Sequence, residues 1–185
     1  SFYEALVCYN FVYYLDGCDN PGRFDQELID YYRRDLEADV IDEAEALELI
    51  GEFFANVDAN NGWSTGIGGN GPNGTDGYNE LTVLCLRAAT GRRRPNLQLH
   101  VTEEMPEEVW NAAFDSLSSG SGLPALYDDG RFTRALEAAD LGIAPEDLPW
   151  RNGGGCTETM IHGRSNVGSL DAGINLPLIL TELLE

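Results

Sequence analysis

The stretch Pro95-Asn-Leu-Gln-Leu-His-Val101 decides the fold class of this 185-residue chain. Its apolar side chains alternate with polar ones, and this period of two predicts a half-buried β-strand. Helical patterning follows at 107–117 and 131–139, with a second strand candidate at 124–127 between them. Alternating strands and helices predict an α/β layer or barrel, in which crossover helices join parallel strands.

The sequence before this stretch predicts helices and one long loop. Helical patterning covers residues 2–15, 25–36 and 42–54, which makes the amino-terminal portion helical. Asp42 and Glu45 form a capping-box pattern at the start of the third segment. Seven glycines between 62 and 77 predict a loop. Because this loop follows a helical segment and the chain has no lysine, a structural or substrate-lid role is favoured over phosphate binding.

Acidic residues dominate the charge of the chain. The 32 Asp and Glu residues outnumber the 11 arginines, and the net charge is -21. This excess repels phosphate backbones and anionic lipids, which argues against nucleic acid and membrane surfaces as partners. The apolar runs at 2–7 and 174–184 are too short or too interrupted to span a bilayer. Two interpretations of the acidity stay open: a solvated surface with biased codon usage, or adaptation to high salt, which screens the repulsion.

The cysteines and histidines do not form a recognisable metal motif. No C-x-x-C pair occurs among the four cysteines, and no secretory signal opens the chain. Reduced thiols in a cytoplasm are therefore expected. No acidic residue at a helical offset from His100 or His162 forms a recognisable metal motif with it, so hydrogen-bonded core or polar histidines are favoured over metal ligands.

Residues 152–158 read Asn-Gly-Gly-Gly-Cys-Thr-Glu and predict a glycine-rich tight turn that presents the thiol of Cys156. At the end of a barrel strand this thiol would face a central cavity, where Glu158 could serve the same substrate. A buried structural cysteine remains an alternative. A hydrolase with Cys156 as nucleophile, His162 as base and Asp171 as orienting acid is another, although few cations are available to stabilise a thiolate.

Several segments, in this order and spacing, resemble the glycyl radical enzymes related to pyruvate formate-lyase. They are Arg23–Gln26, Tyr31–Leu36, Asp76–Leu81, Pro95–Val101, Gly120–Asp129 and Gly155–Glu158. Cys156 lies where that family carries its catalytic cysteine. The resemblance covers nearly the whole chain and implies part of a ten-stranded α/β barrel, with residues 1–185 as a single partial domain.

The resemblance also implies a chemistry for Cys156. In the family, a radical stored on a glycine takes the hydrogen of the cysteine thiol, and the thiyl radical abstracts hydrogen from the substrate. A thiol that donates hydrogen atoms must stay protonated, which suits an apolar, water-excluded pocket. The Cys-x-Glu order resembles the eliminating and decarboxylating members, so Glu158 is expected to move a proton during elimination from a small polar metabolite. The resemblance also implies that burial raises the pKa of Glu158, so that it can work near neutral pH. Thr159 stands where many members have proline.

Residues 1–185 do not include the family's glycyl radical motif. The resemblance therefore implies a fragment, a split subunit or a truncated copy of a lyase or dehydratase. No cofactor is expected on this chain itself, since the glycyl radical would lie elsewhere in the full protein. A radical S-adenosylmethionine activating enzyme would install it, and an anaerobic, cytoplasmic homodimer is expected. The alternative from another class is a non-catalytic, truncated acidic α/β domain with a binding or scaffolding role.

Overall fold

A computed structural model describes residues 1–16, 20–71, 74–154, 158–165 and 176–184. Three helices come first: α1 (Phe2–Asp16), α2 (Phe24–Glu37) and α3 (Glu43–Ala59). Strands and helices then alternate through β1 (Ser64–Gly68), α4 (Glu80–Ala89), β2 (Asn96–Val101), α5 (Glu107–Ser118), β3 (Ala125–Asp128) and α6 (Asp129–Ala138). A short 3-10 turn at Leu148–Trp150 leads into β4 (Arg151–Gly154), and β5 (Glu158–Ile161) and α7 (Leu176–Leu184) follow. This order confirms the α/β class and the helical amino-terminal portion.

The three strands β1, β2 and β3 form a parallel sheet in that order. Helix α4 connects β1 to β2 and α5 connects β2 to β3, as parallel pairing requires. Strands β4 and β5 form a separate antiparallel pair in which Gly154 lies opposite Glu158. We call this pair the cysteine hairpin, because Cys156 lies between its strands in the sequence.

Strand β2 is buried on both faces, so the prediction of a half-buried strand was wrong on this point. Leu97 and Leu99 belong to the apolar core, and the alternating side chains of Gln98 and His100 are also fully buried. A central strand of a parallel sheet is covered on both sides. Its polar side chains therefore need hydrogen-bond partners inside the protein.

Part of the predicted glycine-rich loop is strand β1, which corrects the loop assignment for residues 64–68. Glycine is needed here because neighbouring side chains approach the backbone closely. A Cβ on Gly66 would lie 2.6 Å from Oδ1 of Asn152, and one on Gly68 would lie 2.7 Å from the ring of Tyr78. Gly68 also has a positive φ of 67°, which disfavours other residues. Close approach of another element is a common reason for glycine inside a strand.

The apolar core lies between the amino-terminal helices and the parallel sheet. Phe24 and Phe53 stack with their ring centroids 5.6 Å apart, and Ile67 of β1 is buried with them. The predicted capping box of α3 is confirmed: the N–H of Glu45 donates to Asp42, and the N–H of Asp42 donates to Glu45. None of the helices among the described residues combines the length and apolarity needed to cross a bilayer.

Candidate active site at the cysteine hairpin

The predicted site residues belong to the cysteine hairpin. Glu158 is the first residue of β5, and its side chain is exposed. The described residues of this chain therefore do not bury it as the sequence predicted. Cys156 lies outside the described residues. The first part of the predicted tight turn is strand β4, which is buried from end to end. Cys156 and Glu158 as a catalytic pair stay a prediction.

A buried cluster of polar side chains lies where β4 meets the parallel sheet. We call it the polar cluster; its members are Asn20, Arg23, Gln98, His100, Asp129, Arg151 and Asn152, all at most 6% exposed. They come from the segment before α2, from β2, from the start of α6 and from β4. Since β4 is not paired with a strand of the parallel sheet, these side chains provide much of its attachment.

Two arginines and one carboxylate form the charged part of the polar cluster. Nη2 of Arg151 lies 2.7 Å from Oδ2 of Asp129, and Nη1 of Arg151 donates to the carbonyl of Leu148 at 3.0 Å. Arg23 donates from Nη1 to the carbonyl of Gly68 at 2.6 Å and from Nη2 to the carbonyl of Arg151 at 2.9 Å. These contacts tie the first residue of β4 to the end of β1 and to the start of α6.

His100 forms the second link between the sheet and β4. Its Nδ1 lies 2.7 Å from Oδ1 of Asp129, and its Nε2 lies 3.0 Å from Oδ1 of Asn152. Nδ2 of Asn152 donates to Oδ1 of Asn20 at 3.1 Å, and Nδ2 of Asn20 donates to the carbonyl of Gly153 at 2.5 Å. Three consecutive residues of β4 thus have buried polar partners. The sequence-based expectation of a hydrogen-bonded core histidine is confirmed.

Glycine at position 153 allows β4 to lie directly on β2. A Cβ there would come within 2.6 Å of Oε1 of Gln98. The position does not have a positive φ, so the requirement is for space rather than for an unusual backbone angle. A larger residue would force the buried amide of Gln98, or the cysteine hairpin itself, to shift.

Burial and charge act against each other on the titratable groups of the polar cluster. Burial, followed by the charge of Arg23, lowers the pKa of His100 to about 4, while the hydrogen bonds to Asp129 and Asn152 act in the opposite direction. Burial alone would raise the pKa of Asp129, but the hydrogen bond and charge of His100 and the charges of the two arginines hold it at about 2. Asp129 is therefore the anion of the cluster at neutral pH.

A second carboxylate, Asp25, is buried just after Arg23. It accepts hydrogen bonds from the hydroxyl of Thr82 and, at 2.7 Å, from the N–H of Gly68. Burial raises the pKa of Asp25 to about 6, although these hydrogen bonds and the charge of Arg23 oppose the rise. Together with Arg23, this residue holds the end of β1, a strand that also contacts β4.

A cavity of about 480 Å³ opens beside the polar cluster, on the side of α6. Asp129, Arg134 and Arg151 are among its lining residues, and Glu158 is not among those described. No group of three or more His, Cys, Asp or Glu side chains in the described ranges is arranged to hold a metal ion.

His162, the base of the hydrolase alternative, has another partner. Its Nε2 lies 3.0 Å from Oε1 of Glu27 in α2, and its ring stacks on Trp150 with the centroids 6.4 Å apart. Asp171 lies outside the described residues. The histidine thus connects the end of β5 to α2.

Sequence reasoning missed the polar cluster as a unit, although two signals were present. Gln98 and His100 alternate with leucines in a strand that helices were predicted to flank, and a strand covered on both faces must bury its polar side chains. Arg23 and Asp25 belong to a segment noted for its family resemblance and for the start of a helix at residue 25, and neither signal indicates that their side chains are buried. Nothing in the local pattern indicates that Asp129 and Arg151 form an ion pair.

Comparisons with known proteins agree with this architecture. A family model described as pyruvate formate lyase-like matches residues 1–185. The glycyl radical subunit of 4-hydroxyphenylacetate decarboxylase from Clostridioides difficile is 32% identical over 158 residues, covering 75% of this chain and 18% of that protein. Trans-4-hydroxy-L-proline dehydratase from the same species is 27% identical over 214 residues, covering 97% of this chain and 26% of that protein.

Solved structures show the same relationship. The glycerol-bound B12-independent glycerol dehydratase from Clostridium butyricum matches with a TM-score of 0.76 and 26% identity, over 88% of this chain and 23% of that one. The chain therefore spans about a quarter or less of the length of these relatives. Its parallel sheet and crossover helices are part of the α/β barrel of such enzymes, as predicted, and the count of ten strands stays a prediction. The chain belongs to the pyruvate formate lyase-like family of glycyl radical enzymes.

Proposed function

We propose that this chain is the portion of a glycyl radical lyase or dehydratase that carries the catalytic cysteine. The reaction would abstract hydrogen from a small polar metabolite and continue by elimination or decarboxylation. The observation that carries the proposal is the cysteine hairpin, in which Gly154 pairs with Glu158. Cys156 is therefore flanked in the sequence by β4, which is held by the buried polar cluster, and by β5, which pairs with β4. Relatives named as a decarboxylase and a dehydratase support the same class of reaction.

Cys156 would act as a hydrogen-atom donor and acceptor. Its S–H bond breaks homolytically when the hydrogen passes to the glycyl radical, which would lie outside this chain, and the sulfur keeps one electron. The S–H bond forms again when the sulfur takes a hydrogen atom from a substrate C–H bond. After elimination, the product radical takes that hydrogen back. The thiol thus cycles without net oxidation, and a protonated thiol in a water-excluded site suits this role.

Glu158 would move the proton that accompanies departure of the leaving group. Only Thr157 separates Glu158 from Cys156 along the chain, so both side chains can serve one substrate. A positioned acid or base of this kind contributes about 10²- to 10⁴-fold to a rate. Because Glu158 is exposed on this chain, parts of the barrel outside it would have to exclude water from the site.

The proposed partners follow from the same assignment. A radical S-adenosylmethionine activating enzyme would install the radical, and the full protein would be an anaerobic, cytoplasmic homodimer in which residues 1–185 form one partial domain. The charge of -21 supports a small-molecule substrate over nucleic acid or anionic lipid.

Anaerobic activation of the full protein tests the proposal. We expect a glycine-centred doublet in the electron paramagnetic resonance spectrum. Cys156→Ser should keep the doublet and lose turnover, because the O–H bond is too strong to replace S–H. Cys8→Ser, which changes an exposed free thiol in α1, is the matched control and should keep turnover.

Each result bears on a different part of the proposal. Turnover in Cys156→Ser would refute the radical role of the cysteine. Glu158→Gln should lose about 10²- to 10⁴-fold in rate with the doublet intact; a loss of less than about threefold would remove Glu158 from the mechanism. A wild-type protein without any doublet would favour the non-catalytic alternative.

A further inference from the structure

The backbone determines the direction of the Asn20 side-chain amide. Its Nδ2 donates to the carbonyl of Gly153 at 2.5 Å, and its Oδ1 accepts from the N–H of Gly22 at 2.9 Å. A rotated amide would place oxygen against oxygen and N–H against N–H. The Oδ1 of Asn20 therefore faces Asn152 as an acceptor.

The direction of the Asn152 amide follows from that of Asn20. Only Nδ2 of Asn152 can donate to Oδ1 of Asn20, at 3.1 Å, and Oδ1 of Asn152 accepts from the N–H of Gly153 at 3.1 Å. The same oxygen lies 3.0 Å from Nε2 of His100. A carboxamide oxygen only accepts hydrogen bonds. Nε2 of His100 therefore carries a proton.

The other ring nitrogen of His100 also faces an oxygen. Its Nδ1 lies 2.7 Å from Oδ1 of Asp129. The second oxygen of Asp129 lies 2.7 Å from Nη2 of Arg151 and accepts from the N–H of Asn70 at 3.2 Å, which are the contacts of an ionised carboxylate. An oxygen this close to a ring nitrogen requires a proton between them. His100 and Asp129 together thus need a second proton.

Other groups around the ring act for or against this second proton. Burial and the charge of Arg23 disfavour a charged ring, whereas Asp129 favours it. Tyr127 of β3 stacks on the ring with the centroids 5.6 Å apart, and the hydroxyl of Tyr78 donates to the backbone carbonyl of His100 at 2.8 Å. A pKa of about 4 corresponds to a neutral ring at pH 7 and conflicts with the hydrogen-bond directions, which require a charged ring. The hydrogen-bond directions decide the assignment, because a neutral ring would leave one of its two buried oxygen neighbours without a donor.

We propose that His100 is a positioning residue for the cysteine hairpin, donating from both ring nitrogens to Asp129 and Asn152. Asn152 stands four positions before Cys156, in a strand that is not paired with the parallel sheet. The orientation of Asn152 depends on its contact with His100. The start of the segment that carries the thiol therefore depends on this contact as well. The effect of this positioning on catalysis rests on the proposed function. If Cys156 is the reacting group, a displacement of about 1 Å can cost about 10²-fold in rate. The protonation of His100 and the attachment of β4 to the sheet do not depend on the proposed function.

Ring-nitrogen NMR of the ¹⁵N-histidine-labelled chain tests the protonation directly. The chain has only two histidines, and a His162→Gln variant assigns the two sets of signals. We expect protons on both ring nitrogens of His100 at pH 7, with the second proton leaving as the pH rises. A ring with one proton at pH 7 would overturn the double-donor assignment. No radical is involved, so this result is independent of the proposed function.

Amide hydrogen exchange tests the positioning. Asn152→Ala removes the link between the ring and β4 but leaves the contact of His100 with Asp129 in place. We expect exchange of the β4 and β5 amides to become at least about tenfold faster, because the variant loses the charge-assisted hydrogen bond to His100 and the contacts of Asn152 with Asn20 and the N–H of Gly153. Exchange in β1 and β2 should stay unchanged and is the internal control. In the wild type, the same amides should lose protection at the pH where the second proton leaves. Unchanged exchange in the hairpin, or an equal increase in β1 and β2, would overturn the positioning role whatever the activity of Cys156.

Discussion

Replacing Asp129 with asparagine removes the carboxylate of the polar cluster while nearly conserving its shape. The side chains of Arg151 and Asp129 are only 4% and 2% exposed and lie 2.7 Å apart. Removal of one partner from a buried ion pair costs about 3–5 kcal/mol, because the remaining charge has neither a counter-ion nor water. The buried Arg23 also loses a charge that favours its ionised form. We expect Asp129→Asn to lower the free energy of unfolding by about 3–5 kcal/mol.

Urea unfolding at pH 7, followed by circular dichroism, measures this loss. Glu80→Gln is the matched control, since Glu80 and Arg33 also lie 2.7 Å apart but are 54% and 49% exposed, and we expect it to cost only about 0–1 kcal/mol. A double variant, Asp129→Asn with Arg151→Met, removes both charges and should recover part of the loss. A cost for Asp129→Asn no larger than that of the control would refute the view of this pair as a desolvated ion pair.

Three further predictions concern packing, pH and salt. Gly153→Ala should destabilise the protein by about 1–3 kcal/mol in urea unfolding, because its Cβ would lie 2.6 Å from Oε1 of Gln98. Gly130→Ala in helix α6 is the control and should be neutral or stabilising. Equal effects of the two substitutions would contradict the packing argument. The pKa of Asp25 is raised to about 6 in the folded protein, whereas the same carboxyl in the unfolded chain loses its proton near pH 4. The contribution of Asp25 to stability therefore falls as the pH rises from about 4 to about 6. Asp25→Asn should flatten that part of the stability profile, and an unchanged slope would count against it. If the charge of -21 reflects adaptation to high salt, Tm should rise towards 1 M salt, where the Debye length is about 3 Å; a flat or falling Tm would exclude that interpretation.

Local patterns were sufficient to predict most helices and the strands β2 and β3. The capping box of Asp42 and Glu45 and the alternation around Leu97 and Leu99 depend on residues within one element, so a short stretch of sequence contains all the partners. Family membership was also evident from the order of short segments. The glycine-rich strand β1 was missed because glycine has no side chain to alternate, and its strand conformation depends on pairing with β2.

The amino-acid sequence by itself determined the α/β class, the helix starts, the family and the position of Cys156 and Glu158 in the chain. Only the tertiary structure decided that Arg23 donates to a carbonyl 128 positions away, and that His100 lies between Asp129 and Asn152. The physical reason is that periodicity specifies which side of an element a residue lies on but not what it meets there. Crossover connections bring together hydrogen-bond partners that are remote in sequence, and burial then makes each of those contacts necessary.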